Sequence, residues 1–321
     1  MNRDFAPQDV LDAAHARSAA RAERRWADAD RLRDQIEAAG WRVIDRGVNF
    51  RLELAGRPDV VDDAGIRYGS SASVPSRLDE PTAYRASLVL IGSRDRPLTA
   101  PTLDAVLATR GERDEVVLVI DGPDGMAGPL PDPVPARSDL IRTAVPLGAG
   151  AALDIALRRV TGGVVVLLGP GLEPTGDLVG PLAAALEDPR VAIAGLAGYL
   201  TRDLRHLAER TTPGDATVIG GSVQAFRRDD ARAAMPVDEG FVSHQHLDRW
   251  WSLALRAVAA PDGTGSPGRA LVVADLPVRR RTDDGPNGAS SGDARLERRN
   301  FYRVLKAFRD RADLLAEVVD G

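Results

Sequence analysis

Apolar positions return every three to four residues between 8 and 39, a spacing that predicts two helices. In the second, Trp26, Ala29, Leu32 or Arg33, and Ile36 form the stripe, and Gly40 stands where a helix stop belongs. The period then drops to two. Trp41-Arg-Val-Ile-Asp45 and Phe50-Arg-Leu-Glu-Leu54 alternate apolar and polar side chains around Gly47-Val48-Asn49, which reads as a hairpin. Residues 55–85 lose this periodicity and are rich in Gly, Ser, Pro and Asp, the composition of a linker.

From Ala86 the pattern changes to short apolar runs at 87–91, 115–120, 140–145, 164–168 and 191–194, each the length of a buried strand. Helical stretches are expected between them at 97–109, 151–160 and 177–187, the first with Thr99 as cap and Pro101 early in the helix. Apolar strands alternating with helices predict an α/β fold whose mostly parallel sheet is covered on both faces. A further strand is expected at 270–276, between segments 261–268 and 282–293 whose Gly, Pro, Ser and Asp predict mobility. A last helix from about Ala294 carries Phe301, Leu305, Phe308 and Leu315 on one face. The chain therefore divides into a helical hairpin with a strand pair at 1–54, a linker at 55–85 and a larger domain at 86–321.

Composition narrows the class. The chain has 321 residues, 44% hydrophobic and 28% charged, enough for two cores and ordinary for a globular protein. A formal net charge of -5 argues against a protein built to coat nucleic acid. Lys306 is the only lysine, and the absence of cysteine removes disulfides, thiolate metal sites and cysteine nucleophiles. Met1–Gln8 is charged and holds a proline where a signal peptide needs an apolar stretch. No apolar run approaches the ~18–20 residues that span a bilayer. A cytoplasmic protein without a membrane span is expected.

Few residues stand out as chemistry. Asp121 closes the run Val116–Ile120, and an acid at the carboxyl end of a parallel strand lies on the edge where such sheets bind ligands. Asp121-Gly122 and Asp124-Gly125 are also plain turn formers, and the local pattern by itself favours that reading. His244 and His246 stand two apart at a helix start, so they do not share a face and are expected to line or cap rather than hold a metal. Of Trp250 and Trp251, one is expected to face inward and the other outward, beside Asp248.

Taken together and in order, the motifs resemble the family-two glycosyltransferase domain, a GT-A-like nucleotide-diphosphate-sugar fold. Ser87–Arg96 resembles its opening strand, Val119–Gly125 its first acidic turn, and Leu147-Gly148-Ala-Gly150 its glycine-containing helix entry. Val164–Leu168 is similar to the strand before its metal motif, and Leu172-Glu-Pro-Thr175 to the segment after it. Gly220-Gly221 with Ala225–Arg228, Asp238–Phe241 to Leu247–Trp251, and Arg299-Asn300-Phe301-Tyr302 resemble the acceptor side and the last helix. The likeness covers roughly 86–281 and 294–315. It implies that Asp121, with Gly122 and Gly148, holds the base of a nucleotide, and that Asp248 is the general base of an inverting hexosyl transfer to a glycan or other hydroxyl acceptor.

The sequence departs from that family at its metal site. The resemblance implies an acidic D-x-D element holding magnesium or manganese across the diphosphate. Gly169-Pro170-Gly171 stands there instead and offers no side-chain oxygen. Glu173 falls after the motif, and the stretch Arg279-Arg280-Arg281-Thr282 lacks the histidine that many members supply. No bound metal is expected at 169–171. Arg279, Arg280 and Arg281 are candidate phosphate contacts and Trp250 and Trp251 candidate acceptor contacts, although a charge run is usually a solvated face.

The first 54 residues have a likeness of their own. Ala22–Ile36 through Gly40–Asp45 looks like the C-terminal helical tail of cysteinyl-tRNA synthetases, with acids and arginines alternating on a helix before a glycine stop. None of that family's catalytic elements is present, and acids among the arginines give a mixed field, so no strong nucleic-acid binding is expected. Three readings follow: a glycosyltransferase, a non-catalytic descendant that binds nucleotide, glycan or protein, and a tRNA-associated module. The Gly-Pro-Gly loop weighs toward the second and the acidic balance against the third.

Overall fold

The computed structural model describes residues 6–46, 49–54, 57–63, 65–129, 131–258, 266–273, 275–281 and 294–315. It divides into two compact units, Met1–Asp59 and Val60–Gly321. Of the two segments expected to be mobile, 261–265 and all of 282–293 lie outside the described residues, as does the hairpin tip Gly47-Val48.

In the first unit, helices Gln8–Ala22 and Trp26–Ala38 precede the antiparallel strands Trp41–Arg46 and Asn49–Leu54. Gly40 ends the second helix at φ +80°, a conformation that costs a residue with a Cβ far more than glycine. Val10, Ala13, Ala14, Ile36 and Trp41 form the core, with Leu32, Val43, Phe50 and Leu52 packed against it. Trp26, expected on the apolar stripe, is 57% exposed. It opens its helix, a turn or more beyond the reach of so small a core. Asp45 ties the sheet to the first helix through Arg17 at 2.9 Å and Arg21 at 2.6 Å.

Among the described residues, the second unit is built on a ten-stranded sheet. At its centre Gly162–Leu168, Tyr84–Ser93, Asp114–Asp121, Ser138–Thr143 and Gly65–Tyr68 run parallel in that spatial order. The α/β class read from the sequence is the class observed. Residues along these strands alternate between two cores. Leu88, Leu90, Val116, Leu118, Val166 and Leu168 face helices Ala100–Thr109 and Val179–Ala185, which supply Leu103, Val106 and Leu182. Val89, Val117, Val119 and Val165 face the other way, onto helices Ala149–Arg159, Leu247–Val258 and Ala294–Phe308. Strands covered on both faces are apolar without interruption, which is why they read as runs rather than as alternations.

Glu115 stands inside this apolar strand yet is 3% exposed. Its carboxylate accepts from Ser87 Oγ at 2.5 Å and from the amide and hydroxyl of Thr161 at 2.6 and 2.9 Å, so the burial of a charge is met by hydrogen bonds.

Two features go beyond the sequence reading. Part of the stretch read as a linker is sheet: Val60–Asp62 and Gly65–Tyr68 pair with each other, and the latter continues the parallel block beside Ser138–Thr143. These strands sit at the exposed edge, so their residues lack the apolar run that announces a buried strand. On the other side the sheet is mixed. Val223–Arg227 inserts antiparallel between Gly162–Leu168 and Val191–Gly195, and Arg269–Val272 follows parallel to the latter.

Candidate active site

Strands of one parallel block end on one rim, and Asp121 and the Gly169–Gly171 loop both follow such strands. Along this rim lies a cleft of about 670 Å³ lined by Asp95, Arg96, Gly169, Pro170, Gly221, His244, Asp248 and Trp251, among others.

Asp248 stands in the first turn of helix Leu247–Val258. Its carboxylate accepts from the amide of Gly221 at 2.9 Å, across from the strand Val223–Arg227 that the same turn precedes. Gly221 leaves room for this approach, since a Cβ there would lie 3.0 Å from the Asp248 Cβ. Burial raises the Asp248 pKa above the usual carboxylate range, opposed by Arg249, the amide of Gly221 and Arg96. A carboxylate held open to a cleft with its basicity raised is suited to take a proton.

His244 also lines the cleft, its Nε2 3.3 Å from Ser93 Oγ. Burial, with Arg96 adding, pushes its pKa down to about 3. His246 is pushed down to about 4 by burial and Arg249, whose Nη1 lies 2.9 Å from its Nδ1. Both imidazoles are therefore neutral near pH 7. Because the unfolded chain takes up these protons near pH 6.5 and the folded one does not, stability falls as pH drops below that value toward 3. For His244 alone each pH unit in that window costs up to about 1.4 kcal/mol. We expect the His244 ring to remain neutral by NMR at pH 5, and His244→Gln to flatten the acid slope of stability. A ring titrating near 6.5 contradicts this placement.

The loop bearing these histidines is pinned from the last helix. Asn300, 1% exposed, donates through Nδ2 to the carbonyls of Ser243 and Gln245 at 3.2 and 2.9 Å and to Ser243 Oγ at 2.9 Å. Arg303 binds Asp238 at 2.7 Å. The sequence marked Asn300 only through the motif around it; a polar residue within the apolar face of that helix was the available signal.

The residues expected to hold a nucleotide base are bound to one another. Asp121, 2% exposed, accepts from Thr143 Oγ1 at 3.0 Å and from the amides of Leu147 and Gly148 at 2.7 and 3.0 Å. The amide of Gly122 donates to Thr143 Oγ1 at 2.7 Å. Burial raises the Asp121 pKa and these hydrogen bonds oppose it. The cluster fixes the entry to helix Ala149–Arg159, where Gly150 has no room for a side chain: a Cβ there would lie 2.4 Å from the carbonyl oxygen of Asp238. Asp121, Gly122 and Gly148 are not among the residues lining the cleft.

The arginine run divides. Arg279 reaches Glu173 at 2.7 Å and Arg281 the same carboxylate at 3.6 Å, so Glu173, 5% exposed, is neutralised rather than open to a cation. Arg280 points the other way and donates to Ser222 Oγ at 3.4 Å. Of the tryptophans, Trp251 is fully buried on Phe226, and Trp250 is half-buried against Phe241 and Phe308.

Residues 93–233 match Glycosyl transferase family 2. The matched stretch holds Asp121, Gly148 and the 169–171 loop, and Asp248 and Arg279–Arg281 lie beyond it. No curated protein matches the sequence. Among solved structures, GalNAc-T7 with UDP, GalNAc and Mn2+ is similar at TM-score 0.49 and 14% identity, over 71% of this chain and 49% of that one. The mannosyltransferase PcManGT from Pyrobaculum calidifontis, in complex with GDP-Man and Mn2+, gives 0.42 and 17%, over 64% and 60%. S. aureus TarS 1-349 in complex with UDP-GlcNAc gives 0.45 and 12%, over 70% and 65%. This chain spans about half the length of GalNAc-T7. No helix among the described residues is long and apolar enough to cross a membrane.

The divalent ion that the family implies does not fit the residues present. Gly169, Pro170 and Gly171 carry no side-chain oxygen, Glu173 is paired with arginines, and the described residues hold no cluster of three acids or histidines able to bind a metal.

Proposed function

We propose that this chain transfers a sugar from a nucleotide-sugar donor to a hydroxyl acceptor, with inversion and with Asp248 as the base. The Asp248 carboxylate takes the proton of the acceptor hydroxyl, whose oxygen attacks the anomeric carbon. The bond from that carbon to the diphosphate oxygen breaks, and the nucleoside diphosphate leaves with the electron pair. The observation that carries the reading is the Asp248 carboxylate, oriented by the amide of Gly221 on the wall of the cleft and made more basic by burial. The family match over 93–233 supports the donor side. For residues 1–54 the reading is an interaction module rather than a nucleic-acid binder, because among the described residues Asp28, Glu23, Glu37 and Asp45 pair with its arginines and offset their charge.

Full-length protein incubated with a panel of nucleotide sugars and hydroxyl acceptors tests this. The expected result is release of nucleoside diphosphate that depends on acceptor, with one base and sugar preferred. Absence of binding to every nucleotide sugar at millimolar concentration overturns the reading.

A further inference from the structure

We infer that Arg96 and Arg280 hold the donor's diphosphate where relatives would use a divalent ion, so that nucleotide binding at this cleft is independent of metal. The inference rests on the donor-binding reading above and adds the chemistry by which the leaving group's charge is met.

Arg96 follows strand Tyr84–Ser93 in a tight turn closed by reciprocal backbone hydrogen bonds with Ser93 at 3.1 and 3.0 Å. The turn brings its side chain into the cleft beside Gly169, Pro170 and Asp248. Other buried or half-buried arginines of this unit have partners, carboxylates as in Arg85–Asp114 at 2.7 Å and Arg159–Asp139 at 2.7 Å, or backbone carbonyls as in Arg256 to Gly268 at 2.7 Å. The Arg96 guanidinium has neither kind of partner among the described residues; burial lowers its pKa, Asp248 opposes the shift from beyond ion-pair distance, and the nearby Arg280 adds to it. A half-buried cation without an anion is costly, and an anionic ligand removes that cost.

Arg280 meets the same loop from the other side. Strand Val278–Arg280 pairs antiparallel with Leu172–Pro174, the segment that follows Gly169–Gly171, and the amide of Arg281 donates to the carbonyl of Gly171 at 3.0 Å. Strand alternation sends Arg279 and Arg281 to Glu173 and leaves Arg280 on the opposite face, over Ser222. The carbonyl of Ser222 in turn accepts from the amide of Gly169 at 2.8 Å. The two guanidiniums thus flank the loop that carries no acid. Planar, permanently charged donors suit phosphate oxygens and need no metal to bridge them.

Calorimetry on the full-length protein with UDP and GDP, each in EDTA and in manganese, tests this, with uridine and guanosine as controls. We expect one diphosphate to bind in EDTA and manganese to change its Kd less than about threefold. Arg96→Ala and Arg280→Ala should each weaken it about tenfold or more and leave nucleoside affinity unchanged. Arg280 is exposed, so its variant tests the idea even if Arg96→Ala impairs folding. Binding that requires manganese, or that both variants keep intact, overturns the inference and leaves the donor reading standing. Absence of nucleotide binding in either condition overturns both.

Discussion

We expect Asp248→Asn to lower the proposed sugar transfer by about 10²–10⁴-fold, the usual loss when a general base is removed. The substitution keeps the side chain's shape and an oxygen able to accept from the amide of Gly221, so the helix start and the cleft wall remain in place. What disappears is the basic oxygen. Donor affinity should change little, because the proposed base acts on the acceptor hydroxyl rather than on the diphosphate. The pH profile gives a second check. Burial raises the Asp248 pKa, so the proposed activity should fall as pH drops through a value above the ordinary aspartate range, as the proposed base becomes protonated. The variant's residual rate should lack that acid limb. Initial rates across pH, with thermal melting as a control on folding, measure both, and an equally active variant removes Asp248 from the role.

Trp251→Ala destabilises the larger unit by about 3–5 kcal/mol, the range for truncating a buried aromatic residue. Trp251 has no exposed surface and packs edge-on to Phe226, with ring centroids 5.6 Å apart. Phe226 belongs to the antiparallel strand inserted into the sheet, so the pair joins helix Leu247–Val258 to that strand behind Asp248. Trp251→Phe should recover much of the loss, since the buried Nε1 makes no hydrogen bond that phenylalanine would forfeit. Trp250→Ala should cost less, because its ring is half-buried. Urea unfolding of the three variants decides the order. A Trp251→Ala midpoint within error of wild type would mean that this contact does not hold the unit together.

Legibility followed burial. The runs at 87–91, 115–120, 140–145 and 164–168 were readable as strands because both faces of the central sheet are covered, which forces uninterrupted apolar runs. The edge strands within 60–68 were not, because exposed residues carry no such constraint. Asp248 was visible only through its motif, and Arg96 only as the last residue of another. Neither has a local pattern of its own, since a side chain that lines a cleft need satisfy no periodicity.

The linear order of residues therefore determined the fold class, the helical N-terminal unit and the absence of acids at 169–171, all of which depend on side-chain type and short-range spacing. Tertiary structure alone decided three things: that Val223–Arg227 runs antiparallel inside the sheet, that Asp121 is occupied by the amides of Leu147 and Gly148, and that Arg280 parts from Arg279 and Arg281. Each is a choice of partner between residues distant in the chain. Such choices are made by packing and by hydrogen bonds between elements, and a one-dimensional pattern does not record them.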